Sequence, residues 1–226
     1  MEKRISSISL KIRVILLSFG AIWLTLSPAI ADEFGFTGGL LTFYSGSIDV
    51  GAEDEKPLEN SGTPYQIYSL LGNIRIAFMH YEQYAQHLEI EKSSALLYTV
   101  SIKNDVLLLM YQDSFFPKNE KYYDFETKTY NDPDPDDSSI DIYWNVGVGL
   151  FNSSMDWNNC YFKTDGDFNV GFSLGVGAKK IFENTFIGLE LLYLNKTQYF
   201  HTTAYTYDFE VNIGGAILSL TTGIKI

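Results

Sequence analysis

Between Asp167 and Lys180 the chain alternates without a break. Phe168, Val170, Phe172, Leu174 and Val176 occupy one set of positions, and Asn169, Gly171, Ser173, Gly175 and Gly177 the other. A period of two puts successive side chains on opposite faces of a strand, so the stretch predicts a strand with one apolar face. After Phe182-Glu183-Asn184 the split repeats, with Ile187, Leu189, Leu191 and Tyr193 against Phe186, Gly188, Glu190 and Leu192. A soluble sheet also alternates, but its polar face meets water and carries many Lys and Glu. Here that face holds glycine, Asn, Ser and one Glu, which suits a narrow, enclosed lumen. The pattern predicts an all-β, antiparallel up-and-down transmembrane β-barrel, lipid outside and a small polar interior within.

The same reading along the chain predicts eight strands, near 34–46, 65–80, 94–103, 105–115, 140–151, 167–181, 185–197 and 208–226. Eight is even, as bacterial single-chain barrels require. The pair Gly72-Asn73 favours a turn, yet the outward alternation continues in phase across it, and 65–80 is read as one strand with Arg75 pointing inward. Residues 81–93 are polar and left unassigned. Lys103-Asn104-Asp105 is read as a tight turn, and Val106 to Met110 lacks alternation, so its facing is open. Residues 116–139, with Pro133 and Pro135 inside a run of acids, form a long loop, and Asn152 to Gly166 forms another. With both chain ends on the periplasmic side, the long loops should lie outside. On this strand assignment 116–139 instead falls on the inner side, which calls for either a missed strand near 81–93, with 65–80 split, or a long inner connection.

Charge and composition narrow the class. Glu2 to Arg13 holds Lys3, Arg4, Lys11 and Arg13 and precedes the apolar run Val14 to Leu26 and Ser27-Pro28-Ala29-Ile30-Ala31, the form of a secretory signal cleaved after Ala31. That run of 13 residues is short of the ~20 a spanning helix needs. The expected division is a signal peptide at 1–31 and a barrel domain at 32–226. Without residues 1–31 the chain has 195 residues, 12 basic and 27 acidic, a net charge of −15. No basic patch is offered to phosphates, so nucleic-acid binding is disfavoured. The single cysteine, Cys160, excludes an internal disulfide in a monomer, the expected state.

The segments Tyr143-Trp144-Asn145-Val146-Gly147-Val148-Gly149, Gly171 to Lys180, and Gly188-Leu189-Glu190-Leu191-Leu192-Tyr193 resemble the second half of small eight-stranded outer-membrane barrels of the OmpA/OmpX type. The resemblance covers 140–226 and implies residence in the bacterial outer membrane. It also implies outer-membrane lipids and lipopolysaccharide as surroundings, and contact of the C-terminal strand with the insertion machinery. Such chains usually end in an aromatic residue, whereas this one ends in Ile226.

Candidate chemistry is sparse. Asp113-Ser114 with His80 or His87 resembles the His, Asp and Ser of lipid A palmitoyltransferases, but no surrounding motif accompanies them. His201-Thr202-Thr203 lacks the His-x-Ser arrangement of lipid A deacylases. Asp132, Asp134, Asp136 and Asp137 offer oxygen ligands without the glycine and terminal Glu of an EF-hand loop, and are read as a solvated loop. Asn152-Ser153-Ser154 and Asn195-Lys196-Thr197 have glycosylation spacing, read as chance in a bacterial protein. Tyr44, Tyr65, Tyr68, Tyr143, Trp144, Tyr193, Tyr199 and Phe200 lie near predicted strand ends and are read as interfacial girdles.

The expectation is therefore a non-enzymatic structural or surface-antigen and adhesion barrel with no cofactor, metal or catalytic residues. The alternatives are a lipid A-modifying acyltransferase or deacylase and a narrow conduit for small hydrophobic molecules. Arg75, Asp141, Lys179 and Glu190 are expected to form a paired network in the lumen, with Val170, Phe172, Leu174, Val176, Ile187, Leu189 and Leu191 facing lipid.

Overall fold

The computed structural model describes residues 31–49, 55–88, 98–115, 122–124, 129–131, 140–158, 163–165, 169–201 and 208–226. The proposed signal, Cys160 and the acidic run 132–137 lie outside them. Eight long strands form the barrel: β1 (Glu33–Asp49), β2 (Tyr65–Leu71), β3 (Ile74–Leu88), β4 (Tyr98–Ser114), β5 (Ile140–Asn158), β6 (Asn169–Phe182), β7 (Thr185–His201) and β8 (Asp208–Lys225). Each pairs antiparallel with the next. The ring closes where Glu33 to Asp49 of β1 meets Lys225 to Glu210 of β8. Closure leaves no free sheet edge except where a strand falls short.

The count of eight stands, but two of its members are redrawn. The stretch 65–80 is two strands, β2 and β3, joined at Gly72-Asn73, and β3 runs on through the unassigned polar stretch to Leu88. Gly72 has φ +56°, as the first position of a two-residue hairpin turn of the glycine-led type requires. Conversely, 94–103 and 105–115 are one strand: Lys103, Asn104 and Asp105 sit inside β4, paired with Glu82, Tyr81 and His80. Asn152 to Asn158, read as loop, continues β5 and pairs with Lys163–Asp165 and with β4.

The end of the barrel that holds Glu33 and Lys225 also holds the short turns 72–73 and 183–184 and the long connection 115–139. That connection carries its own hairpin, Tyr122–Asp124 with Thr129–Asn131. The long connection thus lies at the same end as the chain termini, and the split of 65–80 accompanies it. Connections 50–64, 89–97, 159–168 and 202–207 lie at the distal end.

Burial alternates along most of each strand and shows a change of character partway up. On β4 the buried set is Tyr98, Val100, Ile102, Asn104, Val106, Leu108, Met110 and Gln112, and the outward set is Thr99, Ser101, Lys103, Asp105, Leu107, Leu109, Tyr111 and Asp113. On β3, Ile74, Ile76 and Phe78 point outward, followed by His80, Glu82 and Tyr84, while Met79, Tyr81 and Ala85 are buried. On β5 the outward run is Ile140, Ile142, Trp144, Val146, Val148 and Leu150, then Ser154 and Asp156. The half nearer the termini therefore has an apolar belt outside, and the distal half a polar exterior around an apolar core. That core includes Ile102, Met155, Trp157, Leu194, Phe200, Val211 and Ile213. The expectation of a polar interior throughout is corrected: it holds toward the termini, while apolar Leu108, Met110, Leu192 and Ile217 already share the lumen behind the belt. Above the belt the outer face meets water, and apolar side chains gain by turning inward.

Candidate functional site

The proximal lumen is filled by one hydrogen-bonded ionic network to which all eight strands contribute. Arg75 of β3 and Glu190 of β7, both fully buried, face each other. The guanidinium donates from Nη1 to Oε2 at 2.5 Å and from Nη2 to Oε1 at 3.2 Å. The remaining Nη protons go to Gln112 of β4 at 3.2 Å and Gln66 of β2 at 2.9 Å. The Tyr143 hydroxyl of β5 donates to Glu190 at 2.7 Å, and Arg75 lies 3.8 Å over the Tyr68 ring. A forked cation held by a carboxylate, two amide oxygens and an aromatic face is the geometry that offsets desolvation of a buried charge.

A second set adjoins it. Lys179 of β6 is paired with Glu33 of β1 and stands 3.9 Å from Asp141 of β5. Tyr68 links the two sets by donating to Glu33 at 2.9 Å while its ring supports Arg75, and Thr221 of β8 lies 3.3 Å from the same hydroxyl. Two glycines make room for the tyrosines: a Cβ at Gly35 would collide with the Tyr68 ring, and one at Gly177 with the Tyr143 ring.

The four lumen residues expected from the sequence are thus all inside, as two neighbouring groups bridged by tyrosines. Glu33, Tyr68, Tyr143, Gln66 and Gln112 were not anticipated. Glu33 was legible, since Glu33, Gly35, Thr37 and Gly39 alternate with Phe34 and Phe36. The girdle reading is corrected for Tyr68, Tyr143 and Phe200, which are buried, whereas Tyr65 and Tyr199 are exposed on the outside. Large aromatics near strand ends fill the lumen as readily as they mark an interface, and parity rather than position decides. Val170, Phe172, Leu174, Val176, Ile187, Leu189 and Leu191 are all exposed on the outer surface.

The distal tier contains a smaller polar chain within its apolar core. Lys196 contacts Gln198 and Ser153, Ser153 donates to Asn104 at 2.7 Å, Asn104 donates to Gln83 at 3.4 Å, and Gln83 donates to the Gly214 carbonyl at 3.1 Å. The Lys196 ammonium also lies 5.1 Å from the Phe151 ring. A serine beside an amine is the composition of a Ser–Lys nucleophile, but both side chains are buried and Ser153 gives its proton to Asn104.

The residues set against palmitoyltransferases are separated. His80 pairs with Asp105 at 2.7 Å on the outer surface, whereas Asp113 lies eight residues further along β4, roughly 26 Å away, and Ser114 donates to Asp141. The side chain of His87 is outside the described set. Among the described residues no group of three or more His, Cys, Asp or Glu is gathered to hold a metal.

A closed eight-stranded barrel with an apolar belt and a polar network in its lumen defines a class: the small transmembrane β-barrels, since only helices and closed barrels satisfy every backbone group in lipid. Solved structures of similar architecture include Neisserial surface protein A, 10% identical over 86% of this chain and 96% of that one, with a TM-score of 0.44. Others are the outer membrane protein AlkL, 13% identical over 87% and 92%, TM-score 0.47, and the N-terminal barrel domain of Pseudomonas aeruginosa OprF, 12% identical over 87% and 98%, TM-score 0.38. No protein-family model matches the chain, and no curated protein is similar to it in sequence.

Proposed function

We propose that this chain is a non-catalytic barrel of the outer membrane, closed to solutes, that acts through the surface it raises beyond the bilayer. The observation that carries this reading is the continuation of the strands past the belt. On β4 the outward residues from Thr99 to Asp105 are polar, and β3, β5 and β7 continue likewise. At ordinary strand rise and tilt this is a rigid collar roughly 15 to 20 Å tall. An apolar core fills the collar, and the four distal connections crown it. Two of the three connections at the opposite end are two-residue turns, which favours a periplasmic position for that end and the collar outside the cell, the long connection 115–139 notwithstanding. A structural or adhesive role uses such a surface, whereas transport needs a passage that the ionic network and the apolar core both occupy.

Planar-bilayer recordings of the purified barrel are expected to show little or no steady conductance, and a large, stable channel would overturn the closed reading. Lipid A from cells with and without the gene is expected to have the same acyl number by mass spectrometry. A changed number would replace this proposal with lipid A modification.

A further inference from the structure

The distal core holds one basic group that no opposite charge balances among the described residues. Lys196 of β7 is buried, in register with Ile213 of β8 and beside the Phe151 ring of β5. Its ammonium donates to Gln198 and, at 3.3 Å, to Ser153, both neutral. What faces it from the other strands is uncharged as well: Gly171 from β6 and, further along the polar chain, Asn104 from β4 and Gln83 from β3. Tyr81 and Tyr98 are phenols of this tier, uncharged near neutral pH. The charged side chains His80, Glu82, Lys103, Asp105, Asp156 and Glu210 belong to the outward set of the collar. Inward Glu190 lies six residues down β7, roughly 20 Å away, and is held by Arg75. Burial alone pushes the Lys196 amine down from 10.5 to about 7.

Lys196 also stands where the wall changes. β6 reaches only to Asn169, and its ladder with β7 runs as far as Phe172 with Asn195. Above that level the Asn169 side chain donates to the Thr197 carbonyl at 3.0 Å, in place of a further rung. The next segment round the wall, Lys163–Asp165, is laddered to β5 alone, with its charged positions Lys163 and Asp165 in register with Asp156 and Ser154. Gly171 brings β6 close beneath the lysine, since a Cβ there would lie 2.9 Å from the Lys196 Cβ. The lysine therefore borders a seam between β7 and the top of β6. Its four-carbon stem is long enough to carry the ammonium from core to water there while the stem itself stays on apolar surface.

We propose that Lys196 is a proton-operated latch on the collar. With its amine neutral, the side chain stays in the core and β7 is held against the top of β6. With a proton bound, the ammonium leaves through the seam and β7 loosens above Asn195. A buried charge without a counter-charge is costly, and the move to water removes that cost. Falling pH favours whichever state binds more protons. The exposed amine of the open state takes its proton below pH 10.5, and the buried amine of the closed state only below about 7. The ratio of open to closed collar therefore climbs as pH falls through that window, about 50-fold between pH 9 and 7, and levels off below it.

The test uses the full barrel in phospholipid nanodiscs, with heat-dependent gel mobility reporting that each variant is folded. Amide hydrogen exchange of the peptide covering residues 194–201 is followed by mass spectrometry at pH 9 and pH 7 and corrected for intrinsic exchange. The wild type is expected to open about 50-fold more at pH 7, and Lys196→Met to show no such change. Lys103→Met, on the outer face of the collar, is expected to keep the wild-type response. Equal pH responses in the wild type and Lys196→Met overturn the latch. A second measurement needs no variant in the core: the Lys196 side chain, followed by NMR in lysine-labelled protein, is expected to titrate near pH 7. Titration at the ordinary lysine value overturns the latch as well.

Discussion

The two tiers of the barrel are built from the same strands in unbroken phase, yet they are inside-out relative to each other. Along β4, inward Gln112 and outward Leu109 belong to the proximal tier, and inward Ile102 and outward Lys103 to the distal one. The backbone does not change; the medium outside it does. In the distal tier water surrounds the wall, and the hydrophobic effect drives apolar side chains into the lumen as in a soluble barrel. In the proximal tier lipid is as apolar as any core, so burying leucine gains little. There the interior is held by directed polar contacts, and its stability depends on satisfying them.

The largest effect that sharpens this contrast should come from the proximal lumen. Glu190→Leu leaves the Arg75 guanidinium buried without its paired carboxylate, at a cost of ~3–5 kcal/mol. The double variant Arg75→Met with Glu190→Leu should recover most of that, as read from urea midpoints in vesicles. An undisturbed single variant would mean a wet proximal lumen. Next, Ile102→Ala in the distal core should cost ~2–5 kcal/mol as a cavity. Ser173→Ala in the proximal lumen should change little, within about 0.5 kcal/mol, because the buried Ser173 hydroxyl has no hydrogen-bond partner among the described residues. On the outer face of β4, Leu109→Arg should destabilise by ~2–4 kcal/mol, and Ser101→Arg by no more than about 0.5. Equal penalties at the two positions would place the bilayer over the whole wall and end the distinction between tiers.

The boundary between tiers also explains what could be read from the sequence. Faces were legible on β6 and β7, where bulky apolar residues oppose glycine, serine and a single Glu. They were illegible from Val106 to Met110, because there lipid lies outside and apolar core inside, and both faces ask for the same residue type. The turn signal at Gly72-Asn73 was outweighed because bulky residues recur at 68, 70, 74, 76 and 78 as though one face ran on. A two-residue turn instead reverses the phase, so Gln66 and Tyr68 face inward on β2 while Ile74, Ile76 and Phe78 face outward on β3. Lys103-Asn104-Asp105 misled in the opposite way. Three polar residues in a row look like a turn when every outward position is assumed to face lipid, but above the belt Lys103 and Asp105 meet water and Asn104 joins the inner polar chain. Of the ionic network, the charged members could be located by parity, while Tyr68 and Tyr143 depend on cross-strand glycines that only register reveals.

The belt is not a band of constant height. On β5 it runs from Ile140 to Leu150, roughly 25 Å along the barrel axis, on β4 from Leu107 to Phe115 with Asp113 interrupting it, roughly 20 Å, and on β3 only from Ile74 to Phe78, roughly 10 Å. A flat, uniform bilayer cannot match both sides of such a cylinder at once. The mismatch is relieved by leaning the axis and by drawing the leaflets together beside β3, each at a modest cost per ångström. The expected consequence is a thinner membrane beside β3 than beside β5.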